Sequence, residues 1–384
     1  MRTNVAEAAS AAEVGSSPAR QASALPANAV VLALDLGGTQ IRAAAVLPDG
    51  ERVGRRSVST PGGTDPEAIF AACAELLAAL RAELPSDVAA RVAGIGISSM
   101  GPVDPWRGVV VDPPNVPAFR EAPLADEMER RLALPAFLDR DTCVAALAER
   151  WLGAARDCDD FIYVTVSTGL GAAIVREGAL LHGPDGSAGE LGHITLMPVD
   201  GPRCGCGGIG HLEAISSGSG LAAQARQVVE TGVIPRATAW PLDWAPPDPL
   251  LVSPAPPIRS AFLESCARRG PITGRDVAMG EEAGDDVCRT LMTRARRAFA
   301  IACVGWVDAL NPARIVVGGT VAERQGDRLL QPARDEVAWR AFHVPSRRAQ
   351  ILSAALGPDV GLVGAWPLVA ERYGVAEWRA RRRS

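Results

Sequence analysis

From residue 29 the chain turns sharply apolar, and A-V-V-L-A-L-D-L-G-G-T-Q-I-R-A-A-A-V-L-P-D-G reads as a strand, a Gly-Gly-Thr turn and a second strand closing at Pro48-Asp49-Gly50. Apolar residues at helical spacing predict a helix over about 66–84, and a buried strand over 92–97 runs into a Ser/Gly/Pro loop. Alternating strands and helices imply a layered α/β sheet. The segment V-S-T-G-L-G-A-A-I-V-R-E-G (166–178) repeats the plan of L-D-L-G-G-T-Q-I-R-A-A-A-V-L-P-D-G (34–50) about 130 residues later. Two copies of one hairpin suggest two similar domains facing each other across a cleft. The plainer alternative is that any β-hairpin has this look. Further on, 274–283 and 285–311 read as helices, and R-I-V-V-G-G-T (314–320) as a buried strand ending in a glycine pair. Residues 1–28 read as a disordered leader, and the proline-laden stretch 233–259 as a surface loop or lid.

Composition narrows the chemistry. The 384 residues suffice for two domains, and 48% apolar with 22% charged residues is ordinary for a globular protein. A net charge of −5 argues against a nucleic-acid partner. All 39 basic residues are arginine, so a Walker-type phosphate loop, which needs a lysine, is excluded. Any nucleotide must then be held by backbone amides, hydroxyls and a metal ion. No run reaches membrane-spanning length and no secretory signal is visible, so the eight cysteines are expected in a reducing, cytoplasmic compartment. Cys73, Cys266, Cys288 and Cys303 fall in helix-like runs and read as core residues.

The densest chemistry lies between Gly189 and Glu213, where His193, Cys204, Cys206 and His211 gather with Glu190 and Glu213 at the flanks. Two thiolates and two imidazoles suit a tetrahedral zinc ion, which a closed four-ligand site makes structural. Metal is favoured over inert thiols here, and ordering its ligands would also order the two glutamates. Asp35-Leu36-Gly37-Gly38-Thr39 and Thr168-Gly169-Leu170-Gly171 are either tight hairpin turns or cradles whose amides approach phosphate oxygens. Asp35 could hold magnesium through water. Gly318-Gly319 could lie against a flat base. Asp141, where a strand gives way to a helix, is either an N-cap or a general base facing a cleft. Asn115, in an irregular loop, is by default a turn residue.

Together, D-L-G-G-T, the R-D strand end, T-G-L-G, G-E-L-G-H, C-G-C-G-G-I-G-H-L-E and N-P-A-R-I-V-V-G-G resemble the ROK family of sugar kinases and repressors, from about residue 30 to 373. The resemblance implies the actin-like, hexokinase-type (ribonuclease H-like) fold, with sugar and ATP between two α/β domains. It places residues 29–139, joined by a C-terminal helix at about 365–384, in one domain. Residues 140–364, with the zinc site and the 233–259 insertion, form the other.

Position by position, the resemblance makes Asp141 the catalytic base and Glu190, His193, Glu213 and Asn115 the sugar ligands. Asp35, Gly37, Gly38, Thr39, Thr168, Gly169 and Gly171 become phosphate-loop residues, Gly318 and Gly319 the adenosine loop, and His193, Cys204 and Cys206 three of four zinc ligands. His211 stands where the family has a third cysteine, giving an expected His2Cys2 site. Arg140-Asp141-Thr142-Cys143 replaces the usual N-D-A-N, putting a cation, Arg140, where an asparagine contacts the sugar. S-S-M-G-P (98–102) resembles the fructokinase branch.

These features point to an ATP- and Mg2+-dependent hexose kinase acting on glucose, with a structural Zn2+. An N-acetylhexosamine kinase or a fructokinase is the alternative, and a homodimer is expected by resemblance. A sugar-responsive repressor ranks lower, since the stretch before Val30 is short for a DNA-binding module. A sugar-binding protein without catalysis ranks lower too, because Asp141 and both glycine loops are present.

Overall fold

The computed structural model describes residues 24–375 except 64, 114, 115, 117, 118, 199 and 234–258. Asn115, most of the expected leader, nearly all of the proline-rich segment and the end of the expected C-terminal helix lie outside the described residues.

Among the described residues twelve strands run in chain order: β1 (Val30–Leu36), β2 (Gln40–Val46), β3 (Arg52–Ser59), β4 (Val92–Ser99), β5 (Val103–Asp104), β6 (Val109–Val110), β7 (Ala136–Arg140), β8 (Phe161–Val166), β9 (Leu170–Arg176), β10 (Ala179–Leu180), β11 (Arg314–Gly318) and β12 (Gln350–Ser353). One sheet has the order β3-β2-β1-β4-β7 and another β10-β9-β8-β11-β12, while β5 and β6 form a small ribbon. In the first sheet β1 pairs antiparallel with β2 and parallel with β4, which pairs parallel with β7. In the second, β8 pairs antiparallel with β9 and parallel with β11, which pairs parallel with β12. Order and direction coincide strand for strand, so the two hairpins are two copies of one plan.

The central strands are apolar on both faces because both faces are covered: β1 is buried throughout except Asp35. The edge strand β3, R-V-G-R-R-S-V-S, is mostly exposed and carries arginines, which discourages edge-to-edge pairing.

The helix Asp141–Leu152 lies between the sheets, buried from Thr142 to Glu149. Val144 and Leu147 pack with the first sheet's Val31 and Phe137, whereas Cys143, Ala145 and Ala146 pack with Phe161, Tyr163 and Val175 of the second. A helix apolar all round needs such a two-sided position. The helix Ala365–Arg372 returns to cover β1, β4 and β7. Its approach is close: a Cβ on Gly96 of β4 would lie 2.5 Å from the Ala365 carbonyl oxygen, so no larger residue fits there. A third core joins the helices Gly218–Thr231, Ala261–Arg269 and Gly274–Glu282 to the start of the long helix Asp286–Leu310. Cys73, Cys266, Cys288 and Cys303 are buried helical residues. Among the described residues no helix is long and apolar enough to cross a membrane.

Candidate active site

Parallel strands deliver their C-terminal ends to one side of an open sheet, where ligands bind. Asp35 on β1, Arg140 on β7 and Gly318 on β11 lie at such ends, and the turn after β8 carries Thr168. Asp141 follows β7 directly as the first residue of its helix. Arg140 holds the cap position, and among the described residues the Asp141 carboxylate accepts a hydrogen bond only from the adjacent Thr142 amide, at 2.7 Å. A capping side chain would bond an amide two or three residues on, so this carboxylate is free for other work. Asp141 is open to water yet crowded by protein, as on the floor of a cleft. Crowding by the protein pushes its pKa up to about 6; Asp35 and Glu190 push the same way, against the Thr142 amide and Arg140.

Arg140 is 3% exposed. Its guanidinium pairs with Glu190 and donates to the Ala188 carbonyl, and Nη2 lies 3.7 Å from Cys143 Sγ. The cation expected among the sugar ligands is thus engaged by one of them. Glu190 stays partly open to solvent, and its other oxygen lies 3.7 Å from His193 Nε2. On the far side of that ring, Nδ1 lies 3.7 Å from Cys204 Sγ, and Cys206 Sγ lies 3.2 Å from His211 Nδ1. One ligand atom from each of His193, Cys204, Cys206 and His211 falls within 4.8 Å of the others, a donor set of two sulfurs and two imidazoles that suits zinc. Glu213 accepts from the Leu170 amide at 2.9 Å and from Cys204 Sγ at 3.5 Å, which sets it against the T-G-L-G turn.

Asp35 accepts from Arg42 Nε at 3.0 Å and from Ser98 Oγ at 2.9 Å. Gly37 closes the first turn by donating to Gln40 at 3.0 Å, leaving Gly38 and Thr39 exposed. The turn is therefore a tight hairpin with Gly38 and Thr39 exposed at its tip, so the two readings of it are compatible. The second turn is met by a helix N-terminus: Gly218 N donates to Ser167 and Ser219 N to Thr168, at 2.8 and 2.9 Å.

Beside the second turn opens a cavity of about 560 Å³, lined by Ser167, Thr168, Gly218, Ser219 and Thr320, with apolar walls such as Leu221 and Met292. Arg226, Arg275 and Arg324 also line it, and among the described residues no carboxylate does. Gly318 and Gly319 precede the lining residue Thr320 and do not themselves line the cavity. Gly319 has φ of +93°, and a Cβ there would lie 2.6 Å from Thr165 Oγ1. Sequence reasoning passed over Gly218 and Ser219, although S-S-G-S-G (216–220) carries the signal of a capped helix start. It also passed over Asp139 and His182, which no motif marks.

Two matching α/β lobes with a carboxylate between them compose the actin-like, hexokinase-type fold that the resemblance implied. The model of the ROK family matches residues 31–372, and the chain belongs to that family. It is 29% identical over 347 residues to the glucokinase of Halalkalibacterium halodurans, spanning 90% of this chain and 96% of that one. Its identity to the N-acetylmannosamine kinase of Shigella flexneri is 32% over 335 residues, spanning 87% and 96%. A solved ROK family glucokinase from Streptomyces griseus, in complex with glucose and AMPPNP, shares 30% identity at a TM-score of 0.66, covering 88% of this chain and 97% of that one.

Proposed function

We propose that the protein is an ATP-dependent hexose kinase that phosphorylates the 6-hydroxyl of its sugar, with glucose the first substrate to test. The observation that carries this reading is Asp141, a solvent-exposed carboxylate at the strand-to-helix junction after β7 that bonds its own neighbour's amide and caps no helix. In the mechanism, Asp141 accepts the proton of the 6-hydroxyl while that oxygen attacks the γ-phosphorus in line and ADP departs. Glu190, Glu213 and His193 hold the sugar, with Asn115 assigned by resemblance. The turns at Gly37, Gly38 and Thr39 and at Thr168, Gly169 and Gly171 receive the phosphates, with the exposed Gly38 and Thr39 at the tip of the first. The cavity beside Thr168 takes the nucleoside, and Gly318 and Gly319, the adenosine loop by resemblance, lead into its lining residue Thr320. Magnesium would neutralise charge on the transferred group, and Asp35 would hold it through water, since that carboxylate is already engaged by Arg42 and Ser98. Zinc, held by His193, Cys204, Cys206 and His211, would fix the segments bearing Glu190 and Glu213 and take no part in the chemistry.

Residues 29–139 with the last helix form one lobe and residues 140–364 the other, closing on the substrates to exclude water. We place the protein in the cytoplasm, in line with eight unpaired cysteines, and expect a homodimer. A second reading, an N-acetylhexosamine kinase, is favoured by the slightly higher identity to the N-acetylmannosamine kinase. A coupled assay with ATP across glucose, mannose, fructose, N-acetylglucosamine and N-acetylmannosamine separates the two, and absence of turnover on every sugar refutes both.

A further inference from the structure

Residues 139, 140 and 141 are consecutive, and each points to a different task. Asp141 is the candidate base. Arg140 grips Glu190 and the Ala188 carbonyl. Asp139 is fully buried and accepts from His182 Nε2 at 2.8 Å, from the Arg140 amide at 2.8 Å and from the Arg372 guanidinium. Burial alone would push the Asp139 carboxyl up; Arg372 and His182 outweigh it and hold it well below the usual carboxylate range.

These grips converge on one loop. Residues 182–190 leave the second sheet after β10 and carry Glu190, with His193 close behind. The loop is closed on itself by the Ala188 amide donating to the His182 carbonyl at 2.9 Å. Its tip abuts the β5–β6 ribbon, where a Cβ on Gly186 would lie 2.7 Å from the Val103 carbonyl oxygen and 2.9 Å from Pro105 Cδ. The His182 ring is wedged against Trp106 in an edge-on contact, centroids 5.6 Å apart. Start, tip and end of the loop are thus all fastened to segments that precede the candidate base in the chain. Asp139, Cys143 and His182 also lie close enough to surround a cation. Arg372 and Arg140 already supply positive charge at that point, which argues against a metal there.

We infer that residues 182–190 form a strap, and that His182 and Asp139 are positioning residues which, by fastening it, set Glu190 in register with Asp141. The strap matters for the sugar half of the site and not for the nucleotide half, because none of its anchors lines the cavity beside Thr168. This inference rests on the kinase reading.

The test uses the full-length enzyme with His182→Ala, His182→Asn and His182→Gln. Glutamine can still donate to Asp139; asparagine is too short. Asp139 keeps Arg372 in every variant, which favours folding. With alanine or asparagine the KM for sugar should rise about tenfold to a hundredfold, while the KM for ATP stays within about twofold and glutamine recovers most of the loss. Hydrogen exchange at amides 183 and 185–190 should speed up in the same two variants and return with glutamine. An unchanged sugar KM, parallel shifts in both KM values, or unchanged exchange overturns the strap. If alanine does not fold, the asparagine and glutamine pair decides alone. Failure of the kinase reading is distinguishable: wild-type protein would then turn over no hexose, and the exchange comparison would still confirm or overturn the strap.

Discussion

His193 and Cys204 face each other at 3.7 Å, Nδ1 to Sγ, while the opposite nitrogen of the same ring lies 3.7 Å from Glu190. One imidazole therefore joins the cysteine cluster to a carboxylate of the proposed sugar site. Elemental analysis of purified protein should find one zinc ion per chain. Chelation, or Cys206→Ser, should raise the KM for sugar well above any change in the KM for ATP. Equal effects on both would separate the cluster from sugar binding.

Asp141→Asn should fold normally and lower kcat by about 10²- to 10⁴-fold, the usual worth of general base catalysis. In the wild type kcat/KM should rise with pH through about 6 as the carboxylate ionises. The variant's residual rate should lack that limb, and a limb at the same pH in both proteins would assign the ionisation elsewhere.

The same carboxylate has a consequence for stability. A folded-state pKa above the ordinary 3.8 means that the contribution to stability present below pH 3.8 is lost as pH rises to about 6. Asp141→Asn should therefore melt at or above the wild-type temperature at pH 7.5, and the difference should fade toward pH 4. Calorimetry at the two pH values checks the sign.

Asp139 has the opposite sign. Held well below its ordinary range, it stabilises the fold at neutral pH, and that contribution disappears as pH falls below the usual carboxylate range. Asp139→Asn would remove the buried carboxylate that Arg372 and His182 face, at a cost of about 3–5 kcal/mol measurable by urea unfolding.

Gly169→Ala should disturb both halves of the site. A Cβ there would lie 2.7 Å from Glu213 Oε2, forcing that carboxylate off the turn that Thr168 shares. Higher KM values for sugar and for ATP are expected, with little change in unfolding midpoint. An effect on ATP alone would show that Glu213 plays no part in holding sugar.

The repeated hairpins were legible because both copies carry strand, Gly/Thr turn and small-residue strand within about twenty residues. The cysteine and histidine cluster was legible for the same reason: its members lie between positions 193 and 211. Asp141 could be read two ways, since a strand-to-helix junction suits both a cap and a base. Only the bond to its own neighbour's amide and its place between the sheets decide against the cap. What stayed hidden depends on long-range closure. Asp139 meets His182 from 43 residues away and Arg372 from 233 away, and no local spacing announces such pairs. Arg140 looked like a sugar contact when read beside Asp141; its pairing with Glu190 emerges only when the 182–190 loop folds back.

Arg372 sits in the last described helix yet grips the residue two before the candidate base. A nascent chain still on the ribosome, or one clipped before residue 365, would contain every proposed ligand and every glycine turn but would leave Asp139 without its strongest counter-ion. Activity should therefore begin only once translation has passed this arginine, and a single proteolytic cut ahead of the helix Ala365–Arg372 would silence the enzyme without touching any group that meets substrate.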